Sequence, residues 1–161
     1  MITYLKGDAT SPDVKGFKLI VHVCNDVGGW GRGFVLALSK KWPEPEAEYR
    51  TLKPAGRLLL GQVQFVNVDD TTIVANMIAQ KGYGKNNKNL HRSDEPDDDI
   101  PLQYDHLKTC LEKVHLSASI QSGSVHMPRI GCGLAGGSWE RVESIITAVM
   151  RDVPVYVYNL S

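Results

Sequence analysis

At 161 residues and 42% apolar side chains, the chain is long enough to bury a core without disulfide or metal support. Lysine plus arginine and aspartate plus glutamate both number 18, so no overall basic field exists to hold a nucleic-acid backbone, and an anionic ligand has to be bound locally. The cysteines, Cys24, Cys110 and Cys132, are odd in number and lack CxxC spacing, which argues against a disulfide scaffold and a zinc site, and no apolar run approaches the roughly 20 residues of a membrane span. The expectation is a single soluble, cytoplasmic domain over 1–161, starting directly on a strand with no signal peptide.

In chain order, Ile2 to Leu5 and Lys18 to Cys24 are rich in β-branched and apolar residues and are punctuated by Gly7-Asp8 and Asn25-Asp26, so both read as strands. Phe34, Val35, Leu38 and Trp42 recur at helical spacing until Pro43, and Pro45 to Leu52 reads as a short second helix. Gln62 to Val68 and Thr72 to Ile78 flank Asp69-Asp70, the predicted turn of a hairpin. From Gln80 to Pro101 the chain is polar, with Gly82, Gly84 and an acidic run, and reads either as a lid or as a solvated loop. Leu107, Cys110, Leu111 and Val114 mark one helix, and Val142, Ile145, Ile146, Val149 and Met150 another that opens at Ser138, a good N-cap. Ser124 to Met127 and Val155 to Tyr158 complete the strands. Strands and helices mixed in this order imply a sheet covered on both faces, with ligands bound at the strand ends.

Two glycine-dense segments close apolar runs and lead into helices: His22 to Gly33, and His126 to Gly137. Such turns expose backbone N–H groups without Cβ obstruction and add the partial positive charge of a helix N-terminus, which suits phosphate. Two of them could grip a diphosphate from both sides. The histidines His22, His91, His106, His115 and His126 form no HxxH or HExxH pattern, and no serine sits in a GxSxG elbow, so neither metal catalysis nor a serine triad is supported. No cofactor or metal is expected.

Gly7-Asp8 after the first strand, the Asn25 to Gly33 loop, the segment Pro128-Arg129-Ile130-Gly131-Cys132-Gly133-Leu134 and the closing Val157-Tyr158-Asn159-Leu160 together resemble a macrodomain across nearly the whole chain. The chain looks most similar to the branch holding the terminal ADP-ribose protein glycohydrolase and the antitoxins that remove ADP-ribose from DNA. The resemblance implies a three-layer α/β/α fold with a mixed, six-stranded sheet and an ADP-ribose cleft across the strand ends. In that cleft Asp8, with Ala9 beside it, would accept from the adenine amino group, although Asp8 alternatively caps the turn after Gly7. Tyr158 and Asn159 would line the adenine pocket. Ile130, Gly131, Cys132, Gly133, Leu134, Ala135 and Gly136 would wrap the diphosphate, while Gly29, Trp30, Gly31 and Gly33 cover it from the other side. Asn25 would reach the distal ribose or simply end its strand, and Trp30 is either a flap or packing. Arg129 is expected to pair with a structural carboxylate, and Trp139 to anchor the last helix.

The resemblance also assigns chemistry. Lys81 matches the lysine of the glycohydrolase branch, whereas the aspartate expected after Leu134 is replaced by Ala135. Asp26, beside Asn25, is a candidate substitute. The implied function is binding of ADP-ribose and its hydrolysis from modified acidic protein side chains, with Lys81, Asn25 and Asp26 as catalytic candidates. Open alternatives are a non-catalytic reader, a hydrolase acting on ADP-ribosylated DNA bases, and one acting on ADP-ribose 1''-phosphate. A local patch of Lys81, Lys85, Lys88 and Arg92 would serve the DNA reading. A monomer without membrane contact is the default partner state.

Overall fold

The structure, a computed structural model, describes residues 2–82, 100–133 and 135–160. Leu134 and most of the polar stretch, with Gly84, Lys85, Lys88, His91 and Arg92, lie outside the described residues. The elements run β1 (Ile2–Lys6), β2 (Lys18–Asn25), α1 (Phe34–Lys41), α2 (Glu44–Arg50), β3 (Val63–Asp69), β4 (Thr72–Gln80), α3 (Tyr104–Gln121), β5 (Ser124–Met127), α4 (Trp139–Met150) and β6 (Val155–Asn159). The strands form one mixed sheet in the order β1-β6-β5-β2-β4-β3, parallel except for the β3–β4 hairpin.

The central strands β2 and β4 read as continuous apolar runs because both of their faces are covered. Leu19 and Val21 of β2, with Ile73, Ala75, Met77 and Ala79 of β4, join a core completed by α3 and α4. Their alternate neighbours Ile20, Cys24, Val74 and Ile78 join a second core with Val35 and Leu38 of α1 and Tyr49 of α2. The period of two in a strand thus divides the apolar residues between two helical layers, giving the three-layer α/β/α fold. Among the described residues no helix is long and apolar enough to cross a membrane.

Two local expectations shift. The hairpin turn is Asp70-Thr71, not Asp69-Asp70, because Asp69 pairs with Thr72 and its Oδ1 accepts the Thr71 N–H at 3.0 Å. A short carboxylate that satisfies its own turn in this way fixes where the strand ends. Ser138 holds the N-cap position of α4, but its side chain makes no capping bond; instead its main-chain N–H donates to Tyr104 Oη at 2.8 Å.

Candidate ligand-binding cleft

The two glycine segments follow β2 and β5, whose C-terminal ends lie on the same rim of the sheet. A cleft of about 1000 Å³ opens between them. Its wall takes Asn25, Gly29, Trp30, Gly31 and Gly33 from loop one, and Ile130, Gly131, Gly133 and Ala135 from loop two, with His22, Cys24 and Gln80 from the strands. Asp8, Ala9, Asp26, Lys81, Cys132, Gly136, Tyr158 and Asn159 are not among the wall residues.

Loop one is built around Asn25. The β2–β4 register slips between Cys24 and Asn25, re-aiming the side chain at the strand end. Asn25 Oδ1 accepts from the N–H groups of Val27 (3.1 Å) and Gly29 (2.9 Å), and its Nδ2 donates to the Gly29 carbonyl at 2.9 Å. From α2, Tyr49 Oη lies 2.6 Å from the Asn25 carbonyl and 2.9 Å from Oδ1. Asn25 therefore shapes the loop as well as lining the cleft. Trp30 is packed as well: it is 6% exposed, sits edge-on to His22 and tilted against Tyr49, and donates from Nε1 to Ser39 Oγ at 2.8 Å. Ser39 in turn donates to Glu46 Oε1 at 3.0 Å, while Arg50 Nε donates to Glu46 Oε2 at 2.9 Å, and these partners hold the Glu46 carboxyl below its usual range.

Loop two closes on itself, with Gly137 N–H donating to the Gly131 carbonyl at 2.8 Å and Gly136 N–H to the Gly133 carbonyl at 3.0 Å. Gly131 and Gly136 take φ of 72° and 74°, a region that penalises a Cβ. Beneath the loop runs the segment 101–103, which forms an antiparallel bridge to the end of β4.

Arg32, Arg50 and Arg129 stand on the cleft wall, and among the described residues that line it there is no aspartate or glutamate. Arg50 is ion-paired with Glu46, so Arg32 and Arg129 supply the local positive charge that suits an anion, although the chain is neutral overall. Burial lowers the His22 pKa to about 4, so the imidazole is neutral at physiological pH. Its Nε2 lies 2.5 Å from Asn76 Oδ1, and the Asn76 carboxamide is oriented by donating to the Pro45 carbonyl and to Gln64 Oε1, both at 3.1 Å. Nε2 consequently carries the proton. Burial also pushes the Cys24 thiol well up, so this sulfur is not a thiolate nucleophile. No group of metal-ligating side chains occurs among the described residues.

The remaining candidates lie around this wall. Asp8 Oδ1 accepts from Thr10 N–H and Oγ1, both at 2.8 Å, so one carboxylate oxygen caps the turn after β1. Ala9 is buried beside it. Tyr158 is 7% exposed, and its hydroxyl lies 2.8 Å from His126 Nδ1. Among the described residues Arg129 pairs with no carboxylate: Nε donates to Asn159 Oδ1 at 2.8 Å, and the guanidinium lies over the rings of Tyr4 and Trp139. Aromatic faces replace the expected anion because the Arg129 side chain, leaving the end of β5, reaches across β6 to Tyr4 of the edge strand β1 and Trp139 at the start of α4. Trp139 Nε1 donates to Tyr4 Oη at 3.1 Å, tying the start of α4 to β1. Lys81 follows β4 directly, half-buried, next to Gln80 of the cleft wall.

Sequence reasoning missed Tyr49, Arg50, Gln80 and Leu102. Each lies far along the chain from the loop it serves, and only Tyr49 carried any signal, as the aromatic of a short predicted helix.

No protein-family model matches the chain. Among curated proteins, it is 31% identical over 168 residues to the mouse chromodomain-helicase-DNA-binding protein 1-like, a match covering 98% of this chain and 17% of that protein. The chain thus spans about a sixth of that relative's length. It is 26% identical over 152 residues to the ADP-ribose 1''-phosphate phosphatase of Candida albicans, covering 91% of this chain and 92% of that one. It is 24% identical over 157 residues to the DNA ADP-ribosyl glycohydrolase of Mycobacterium tuberculosis, covering 96% of this chain and 40% of that one. Among solved structures, a Bacteroides thetaiotaomicron protein of unknown function superposes with a TM-score of 0.88 at 50% identity, covering 98% and 97% of the two chains. A macrodomain protein from Streptomyces coelicolor superposes with a TM-score of 0.81 at 46% identity, covering 99% of each. Such identity, sustained over both chains from end to end, makes this chain a member of the macrodomain family.

Proposed function

We propose that the cleft binds ADP-ribose and that the chain hydrolyses ADP-ribose from a modified acidic protein side chain. One observation carries the ligand. Ideal Cβ atoms built on Gly31 and Gly133 meet no described atom within 4 Å, and neither residue has a φ in the left-handed region. Neither packing nor backbone conformation explains glycine at these two positions, yet both stand on the cleft wall, one from each loop. A ligand held between the loops at backbone distance does explain it. The arginines of the wall favour a ligand that carries negative charge, as a diphosphate does. Relatives named for ADP-ribose 1''-phosphate and for ADP-ribosyl DNA support the same ligand class and a hydrolytic outcome.

In this reading loop one and loop two fix the diphosphate, Asn25 orients the distal ribose, and Lys81 supplies the amine or cation at the scissile linkage, with Asp26 supporting it. A second reading is favoured by Ala135 and by the lack of carboxylates on the described wall: a module that binds ADP-ribose or ADP-ribosylated proteins without turnover. Calorimetric titration with ADP-ribose, AMP and ADP tests the ligand. Micromolar ADP-ribose binding, about −8 kcal/mol, that AMP does not reproduce is expected, and absence of binding would end the proposal. Release of ADP-ribose from a glutamate-modified protein then separates the hydrolase from the reader.

A further inference from the structure

We infer that Leu102 is the positioning residue of loop two: a buried wedge that sets the loop's ligand-facing shape from beneath. The inference rests on the reading of the cleft as an ADP-ribose site. Leu102 is fully buried, although it directly follows a polar stretch and precedes α3. Its backbone is fixed on two sides. Lys81 N–H donates to the Pro101 carbonyl and Gln103 N–H to the Ala79 carbonyl, both at 2.8 Å, clamping Leu102 against the end of β4. On the other side Leu102 N–H donates to the Ala135 carbonyl of loop two at 3.0 Å.

The side chain fills the space left by two missing Cβ atoms. A Cβ on Gly131 would lie 2.7 Å from Leu102 Cδ2 and 2.8 Å from Cδ1, and one on Gly137 would lie 2.4 Å from Cδ2. These two glycines therefore admit Leu102, whereas Gly133 has open space. Of the four glycines of loop two, Gly131 and Gly137 receive the wedge, Gly133 is left for the ligand, and Gly136 serves the turn with its φ of 74°. Because Gly131 also lines the cleft, displacement of Leu102 moves the wall itself. The close packing of buried side chains transmits such a shift instead of absorbing it.

A double-mutant cycle between positions 102 and 131 tests this, read by calorimetric ADP-ribose affinity and by melting temperature. Gly131→Ala carries two penalties, its φ and its clash with Leu102, and Leu102→Ala removes only the clash. Each single variant is expected to bind ADP-ribose about tenfold more weakly, and the double variant no more weakly than the worse single one, since residues that share a contact are not additive. Additive losses, or Leu102→Ala binding as the wild type does, would overturn the wedge. Should Leu102→Ala fail to fold, Leu102→Val takes its place in the same cycle, with the same criteria. If the wild-type chain binds no ADP-ribose, the ligand reading falls, and the cycle in melting temperature alone decides the wedge by the same test of additivity.

Discussion

Asp26 clasps the chain on both sides of Lys81. Its main-chain N–H donates to the Gln80 carbonyl at 2.9 Å, and its Oδ1 accepts the Gly82 N–H at 2.8 Å. Gln80 Nε2 tightens the same turn by donating to the Gly82 carbonyl at 2.8 Å. The carboxylate is thus spent on backbone geometry, so Asp26 acts on the proposed chemistry by holding Lys81. Lys81→Ala is expected to abolish hydrolysis while leaving ADP-ribose binding within a few-fold, because backbone groups carry the binding. Asp26→Ala is expected to lower turnover about tenfold with similar retention of affinity. Single-turnover hydrolysis beside calorimetry checks both, and unchanged turnover in Lys81→Ala would remove that residue from the mechanism.

Tyr49 supports loop one through its hydroxyl. Tyr49→Phe keeps the ring against Trp30 but leaves the buried Asn25 oxygens without this donor. The expected cost is about 1–3 kcal/mol of stability. Urea denaturation measures it, and a variant as stable as the wild type would show that water or another donor substitutes.

Gly31 and Gly133 make the opposite prediction. A Cβ at either position meets no described atom within 4 Å, so the melting temperature of the Gly31→Val and Gly133→Val variants is expected to stay near that of the wild type. ADP-ribose affinity is expected to fall more than about a hundredfold, because the side chain occupies the ligand's place. Retained affinity in both variants would place the ligand elsewhere.

Stability is expected to fall with acidification before the carboxylates titrate. Burial lowers both His22 and His126 to about 4, whereas unfolded histidine titrates near its ordinary value of about 6.5. Between these values the unfolded chain binds protons that the folded chain refuses, so stability is full above about pH 6.5 and is lost as pH falls toward about pH 4. The shift of His22 alone corresponds to about 3 kcal/mol. Denaturant titrations from neutral to mildly acid pH test the slope, and His22→Gln should flatten it if the fold persists.

The strands and helices were legible because their apolar periods are strong. β2 and β4 show nearly unbroken apolar runs, and α4 repeats Val142, Ile146 and Val149 on one face. The glycine loops were legible as a pair of turns that close apolar runs and lead toward helices. Their internal division was not, since nothing local distinguishes Gly131, which receives a buried leucine, from Gly133, which faces open space. Leu102 itself is one apolar residue between a polar run and a helix, and its importance arises from contacts with residues about thirty positions away. The same holds for Arg129, whose basic side chain suggested an anion, while the neighbouring β1 and α4 supply aromatic rings.

Among the described residues, β1 finds its only sheet neighbour in β6: Ile2 pairs with Val155 and Lys6 with Asn159. The Gly7 N–H that ends β1 donates to the Asn159 carbonyl at 2.8 Å, and Asn159 also holds Arg129 of the cleft wall. During synthesis, β1 must therefore wait for its β6 partner until about 150 further residues have left the ribosome. One end of the cleft is completed by that final pairing, so a nascent or C-terminally clipped chain is expected to lack a finished pocket even when its central strands have already assembled.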